Sequence, residues 1–344
     1  MKIRFVEAKR PDLKRVAELL EECEAENQWA NRGPLYQKLS DTLSHHASLS
    51  KDYELVPVAN GGVALECMAR LQSLRAGRKL RWVASAFSFW NLGRGYFNDV
   101  TFIDCDDRGL LDLDELKAID QSSYDGLIVT NPHGLYQDFS DYSTFAIGAG
   151  KRLLFDNASG FHSELPAWPW QAFSLHHTKP YGTGEGGLAL VPKGDAEDLY
   201  SLLDYGAERH GSPYWLQNGK LSDISCAFLL DRVERASEWV PDYLEQRERI
   251  AKIASSLGFK LMSKPESNIP LMNLPVLAEL EISNDAAHRA PCMTFAKFYK
   301  PLKDLPNVSG IYRRLLNIPC HPDVINLSDD QIEHDLLGCI DRKV

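Results

Sequence analysis

The sequence predicts an α/β protein: a mostly parallel sheet covered by helices, followed by a smaller α+β domain. Three observations carry that reading. From about Tyr53 onward, short apolar runs alternate with helical patterns. Glycine-rich turns punctuate several of the changes from run to helix. A strongly helical stretch from Asp223 to Leu257 then separates this region from a C-terminal part of mixed character. Parallel strands joined by crossover helices are buried on both faces, so brief apolar runs between helices are their mark.

The elements follow in order. Leu13–Ala25 places apolar residues at helical spacing, and Asn27 to Pro34 is a polar, turn-forming patch. A second helical pattern covers Leu35–His45. Glu54–Val58 reads as a strand, Asn60-Gly61-Gly62 interrupts it, and Val63–Leu74 reads as a helix. Further strands are expected at Leu80–Ala84, Val100–Ile103, Gly126–Val129, Arg152–Phe155 and Gly187–Val191, with helices at Asp112–Ala118 and Ser140–Ala149 between them. The Asp223–Leu257 stretch predicts a long helical connector, and Ser328 is placed to cap a last helix reaching Ile340. The expected organisation is an N-terminal helical segment over 1–50, a large domain over 51–235 and a small domain over 236–344. The N-terminal segment is expected to pack on the large domain or on a partner subunit.

Composition narrows the class of function. The 344 residues are 44 % hydrophobic and 25 % charged, with a formal net charge of −10. That balance is ordinary for a globular chain and long enough for a sizeable core. The short basic pieces Lys9-Arg10, Arg78-Lys79 and Arg313-Arg314 are isolated. Nucleic-acid binding needs clustered cations, so none is expected. No apolar run approaches the roughly 20 residues of a membrane helix, so no membrane role is expected either. Seven dispersed cysteines without a CxxC pair, and a polar start without a secretion signal, fit reduced thiols in a cytoplasmic protein. The ten histidines fall in no HExxH or paired Cys/His spacing, so no metal site is expected.

Three stretches carry chemistry. In Ala172–Lys179 one lysine follows Ser174, His176, His177 and Thr178, and the glycine-dense Pro180–Gly187 comes after it. Glycines there allow positive φ and close backbone approach, so Lys179 can reach a bound group while its neighbours stay rigid. A surface lysine before a flexible turn is the plain alternative. Arg152–Asp156 is a strand ending in a carboxylate, and open α/β sheets gather functional groups at strand C-termini. Asp156 suits pairing with a protonated ring nitrogen, and a turn or cap aspartate is the alternative. Asn60-Gly61-Gly62 opens a helix after a strand, where free N–H groups and the helix dipole suit a phosphate. It lacks the GK[ST] ending of a P-loop, and simple turn chemistry is its alternative.

In this order, glycine turn, aromatic segment, Asp156, Ser174-x-His176-x-x-Lys179 and Thr183-Gly184-Glu185-Gly186-Gly187, the chain resembles the DegT–StrS group of nucleotide-sugar aminotransferases. The resemblance runs over nearly the whole sequence. Trp29 with Gly33-Pro34 resembles the group's early "W-x-x-x-G-P", Asn218–Ala227 its "N-Y-R-M-S-E-L-Q-A-A", and Leu316–Pro322 its "L-x-L-P-x-H-P". It implies the aspartate-aminotransferase architecture known as fold type I, with a mostly parallel seven-stranded sheet and a smaller C-terminal domain. It also implies pyridoxal 5'-phosphate (PLP) as cofactor. Lys179 would carry the Schiff base and Asp156 would meet the pyridine nitrogen. Ser174 and the backbone of Gly61, Gly62 and Val63 would hold the phosphate, and Phe89 would stack on the ring. Asn218 would reach the phosphate of a neighbouring subunit, which implies a homodimer with shared sites. Ser159 stands where the group often has a cofactor-pocket glutamine, Gly62 ends a turn that is elsewhere "S-G-T", and Lys220 replaces an arginine.

The reaction so implied moves an amino group from an amino acid, glutamate first, to a nucleotide-linked keto sugar, with Lys179 as general base. This belongs to amino-sugar biosynthesis of the kind that supplies polysaccharides. A keto-cyclitol acceptor is the first alternative, and a non-catalytic PLP-binding regulatory protein is the second. A relative that dehydrates sugars carries histidine at the lysine position, and Lys179 argues against that reaction. A plain Rossmann dehydrogenase would need G-x-G-x-x-G between a strand and a helix, whereas the spacing at Gly182–Gly187 runs into the strand pattern Gly187–Val191 instead.

Overall fold

A computed structural model describes residues 2–205, 217–263 and 268–340. Two helices come first, α1 (Leu13–Glu26) and α2 (Pro34–His46). Then follow β1 (Tyr53–Val58), α3 (Gly61–Arg75), β2 (Trp82–Ser85), β3 (Thr101–Ile103), α4 (Leu113–Ala118), β4 (Gly126–Thr130), α5 (Ser140–Gly148), β5 (Arg152–Asp156), β6 (Gln171–Ser174), β7 (Gly187–Pro192) and α6 (Ala196–Leu203). The chain continues through α7 (Asp223–Glu234), α8 (Ala236–Ser256), β8 (Lys260–Leu261), β9 (Asn273–Leu277), α9 (Asn284–Arg289), α10 (Pro306–Arg314), β10 (Leu315–Pro319) and α11 (Asp329–Cys339).

The first seven strands form one sheet in the order β1-β7-β6-β5-β4-β2-β3. Only β7 runs against its neighbours; the pairs β6–β5, β5–β4, β4–β2 and β2–β3 are parallel. The mostly parallel sheet expected from the sequence is therefore present, in the seven-stranded fold-type-I form. A second, three-stranded antiparallel sheet, β10-β9-β8, sits with α8, α10 and α11 in its own apolar cluster. Among the described residues no helix is long and apolar enough to cross a membrane.

Buried strands explain why the runs were legible. All five residues of β4 and the last four of β5 are buried. Helix α3 lies across β5, β6 and β7 and is apolar on most sides: Leu65, Met68 and Leu71 are fully buried. Each such side chain contributes about 1.5–3 kcal/mol. Strand β6 did not show in the sequence. It has four residues and ends in the polar Gln171 and Ser174, so its apolar signal is two residues long. The Asp223–Leu257 connector is helical, but it breaks at Arg235 into α7 and α8. The indole of Trp239 takes the Arg232 carbonyl at 2.9 Å, so that oxygen bonds a side chain at the break.

Helices α2 and α10 share an unusual start. Each opens with a proline, which suits the first turn because that N–H has no intrahelical partner. Neither has a side-chain cap of its own. Distant aspartates cap them instead. Asp223, fully buried, accepts from Gly33 N (3.1 Å), Leu35 N (2.9 Å) and Tyr36 N (3.0 Å). Asp104, at the end of β3, accepts from Asn307 N (2.8 Å) and Val308 N (2.9 Å). The first cap fastens the N-terminal helices to α7. The second fastens α10, beside the small sheet, to the large one.

Asp223→Ala leaves three buried N–H groups without an acceptor, so a loss of roughly 3 kcal/mol or more is expected. Urea unfolding should show it as a lower midpoint, with Asp223→Asn between the two because its amide oxygen still accepts. An unchanged midpoint in Asp223→Ala would contradict the capping role.

Candidate active site

The C-terminal ends of the parallel strands open onto one cavity of about 490 Å³. Its wall takes Asn60, Gly61 and Gly62 from the start of α3, Phe89 and Asn91 from the loop after β2, and Thr130 and Asn131 from the end of β4. Asp156 ends β5, Ser174 ends β6, and His176, Thr178, Lys179 and Glu185 line the turn before β7. Tyr299 completes it from the segment before α10.

Each side chain is placed by local chemistry. Asn60 caps α3 by accepting from Val63 N at 3.0 Å. A Cβ at Gly61 would stand 3.1 Å from the Phe173 carbonyl oxygen, so a glycine there lets α3 start close against β6. The turn after β6 is tighter still: a Cβ on Gly182 would sit 2.0 Å from the His176 oxygen. His176 accepts or donates at Nδ1 with Thr178 Oγ1 at 3.0 Å, and its ring lies 4.5 Å from that of His177.

Lys179 projects from this turn, and its Nζ donates to Ser159 Oγ at 2.7 Å. Burial pushes its ammonium down to about 8, and Asp156 opposes the shift. Asp156 is 6 % exposed, and burial pushes its carboxyl up to about 6 against the pull of Lys179 and the Ala158 N–H. Among the described residues no ion pair within 4 Å joins Asp156 to any cation. Buried carboxylates normally have such a partner or are neutral. Asn91 Oδ1 is likewise buried without a hydrogen-bond partner. The cavity thus presents a reactive amine of lowered basicity, an uncompensated carboxylate and a helix start.

The sequence-predicted residues are mostly brought together. Lys179, Asp156, Gly61, Gly62, Phe89 and Ser174 line the cavity, and Ser159 bonds the lysine. Val63 is not on the wall, and its N–H is already taken by Asn60. Asn218 is exposed and lies off the cavity, in a bridge with Asp204. The sequence reading missed Asn91, Asn131 and Tyr299. Tyr299 has its ring stacked on buried His133 at 5.1 Å. It lies over a hundred residues from the motif, and no local pattern marks it.

Comparison with known proteins gives a consistent result. The profile of the DegT/DnrJ/EryC1/StrS aminotransferase family matches residues 12–278. Protein Rv3402c of Mycobacterium tuberculosis (strain ATCC 25618 / H37Rv) is 26 % identical over 252 residues, which cover 66 % of this chain and 58 % of that protein. The match thus spans less than two thirds of the curated relative. Among solved structures, Helicobacter pylori PseC, an aminotransferase involved in the biosynthesis of pseudoaminic acid, superposes with a TM-score of 0.81 at 15 % identity. That superposition covers 98 % of this chain and 99 % of PseC. DesI, solved in the presence of its TDP-sugar product, gives 0.79 at 19 % identity over 97 % of this chain and 92 % of its own. At these identities the two structures speak to the fold alone.

A neutral amine reacts and an ammonium does not, so labelling of Lys179 by a small aldehyde with borohydride should be half-maximal near pH 8. An ordinary lysine reaches that point near pH ~10.4. Asp156 raises the lysine's pKa, so Asp156→Asn should move the midpoint lower. Peptide mapping by mass spectrometry reads both values. A Lys179 that titrates like a surface lysine, or a midpoint that rises in Asp156→Asn, would contradict the electrostatics described.

Proposed function

This chain belongs to the DegT/DnrJ/EryC1/StrS aminotransferase family, and from that premise we propose that it is a PLP-dependent aminotransferase that aminates a nucleotide-linked keto sugar with glutamate as donor, through a Schiff base on Lys179. The observation that carries the assignment of residues is the shared cavity. A buried amine and an unpaired carboxylate face the same space as a helix start and a serine hydroxyl.

That wall suits a phosphorylated pyridine. Asp156 lacks a cation and a pyridinium nitrogen is one. The N–H groups at the start of α3 and the Ser174 hydroxyl suit a phosphate, and the half-exposed Phe89 ring offers a flat face. Bound PLP supplies an electron sink conjugated to the reacting carbon. The chain's own residues do the rest. Asp156 would hold the ring nitrogen by offering a carboxylate. Lys179 Nζ would take the donor's α-proton as general base. Ser159 Oγ, which accepts from that Nζ, holds the amine in line between turns of reaction. Tyr299 and Phe89 close the cavity toward solvent.

The sugar acceptor rests on the family and on the likeness to DesI, solved in the presence of its TDP-sugar product. We also propose a homodimer with shared sites, as the family resemblance implies; its support here is that Asn218 is exposed and off its own cavity. We place the enzyme in the cytoplasm, with amino-sugar biosynthesis as its setting.

The test is an absorbance spectrum with PLP, before and after glutamate. Wild type should show a visible band that glutamate converts to the pyridoxamine form, and Lys179→Ala should show no such conversion. A wild type without the band, or a mutant that behaves identically, would sink the assignment of Lys179. A conversion by glutamate with no turnover on any keto sugar would sink the acceptor alone.

A further inference from the structure

The turn that carries Lys179 is closed by hydrogen bonds of its own. Lys179 N donates to His176 O at 2.8 Å, Gly182 N to Lys179 O at 2.9 Å, and His177 N to Gly184 O at 2.8 Å. A turn this tight brings several carbonyl oxygens to one side. Three of them meet a single cation from the far end of the sequence. Lys9 Nζ donates to His177 O at 2.7 Å, to Gly182 O at 2.6 Å and also to Lys179 O. The next carbonyl, that of Pro180, accepts from Arg232 Nε at 2.9 Å.

We propose that Lys9 is a positioning residue for Lys179, its ammonium collecting three carbonyls of the turn so that the catalytic amine is presented to Ser159 and the cavity in one orientation. The inference rests on the reading of Lys179 as the cofactor-bearing lysine.

The surroundings of Lys9 favour this role over an ion pair. No carboxylate lies within 4 Å of its Nζ among the described residues. The nearby Glu7 is engaged by Arg232 Nη2 at 2.8 Å and by the Tyr243 hydroxyl at 2.8 Å. Burial and the Arg232 guanidinium push the Lys9 ammonium down to about 7. A cation in such a place needs its carbonyl partners, and the carbonyls need it: without it, three oxygens converge and only that of Lys179 keeps a donor, the Gly182 N–H. Lys9 is itself anchored. The strap of residues before α1 pairs with the small-sheet region through Ile3 N to Cys292 O (2.8 Å) and Thr294 N to Ile3 O (2.9 Å). His321 Nε2 meets Arg4 O at 3.0 Å, and Ala8 N donates to Asp323 Oδ2 at 2.8 Å. Lys9 therefore ties the catalytic turn to elements belonging to the other sheet.

The experiment compares wild type, Lys9→Met and Lys9→Arg. PLP is mixed with each cofactor-free protein, capture is followed at the visible band, and borohydride reduction with peptide mapping locates the label. Circular dichroism of the bound cofactor reports how rigidly it is held. In Lys9→Met, capture by Lys179 and the glutamate half-reaction rate should fall about 10- to 100-fold, because small misplacements cost that much. The cofactor's dichroism should weaken, and the glutamate concentration for half-saturation should change little. Lys9→Arg, which keeps a cation with several donors, should recover most of the loss. If Lys9→Met melts well below wild type, Lys9→Gln takes its place in the comparison. Wild-type capture and dichroism in the uncharged variant, or an equal defect in Lys9→Arg, would overturn the proposal. Absence of capture by Lys179 in wild type itself would instead overturn the assignment of Lys179.

Discussion

A buried carboxylate without a cation is the constraint around which this site is arranged. Asp156 stands at the end of a strand in which Leu153, Leu154 and Phe155 are core, and its carboxyl is pushed up to about 6 by burial. The nearest compensation, Lys179, is itself pushed down to about 8 and donates its hydrogen bond to a serine hydroxyl. Two groups that burial drives toward neutrality thus face one space. The arrangement is costly in the folded chain alone, and a cationic ring held by Asp156 would offset that cost. Neighbouring strand ends and the glycine turn at α3 supply the remainder of the wall. The fold makes this possible because parallel strands deliver their C-termini to one side of the sheet.

The pieces that hold the site in place come from far along the chain. Asp223 caps α2 across nearly 190 residues, and Asp104 caps α10 across about 200. Lys9 reaches the turn that carries Lys179 across 170 residues. In each case a charged side chain satisfies backbone groups that a tight turn or a proline-led helix leaves without partners. Charge is used here to fix backbone, in positions where a local cap is missing. Packing of α3 against β5, β6 and β7 then gives the turns a rigid floor.

These distances explain what the sequence could and could not reveal. Asp156 and Gly61-Gly62 were legible because each sits where an apolar run ends, and strand ends are where such sheets do chemistry; Lys179 was legible because hydroxyl and imidazole groups precede it and a glycine-dense turn follows. The buried strands β4, β5 and β7 were legible because burial on both faces leaves a plain apolar run. Strand β6 was hidden by its polar ends, and the break at Arg235 by a helical pattern that continues through it. Tyr299, Asn91 and Lys9 were invisible because their partners are supplied by tertiary structure alone. Val63 had looked available for a phosphate, yet the cap formed by Asn60 uses its N–H.

The central claim is that Asp156 is the counter-ion of the bound cofactor's ring. Nitrogen-15 NMR of PLP labelled at its pyridine nitrogen tests this directly, in wild type and in Asp156→Asn at neutral pH. A protonated ring nitrogen in wild type that becomes unprotonated in Asp156→Asn is the result expected, because only a carboxylate stabilises the charge. An unprotonated nitrogen in wild type, or the same protonated signal in both proteins, would contradict it.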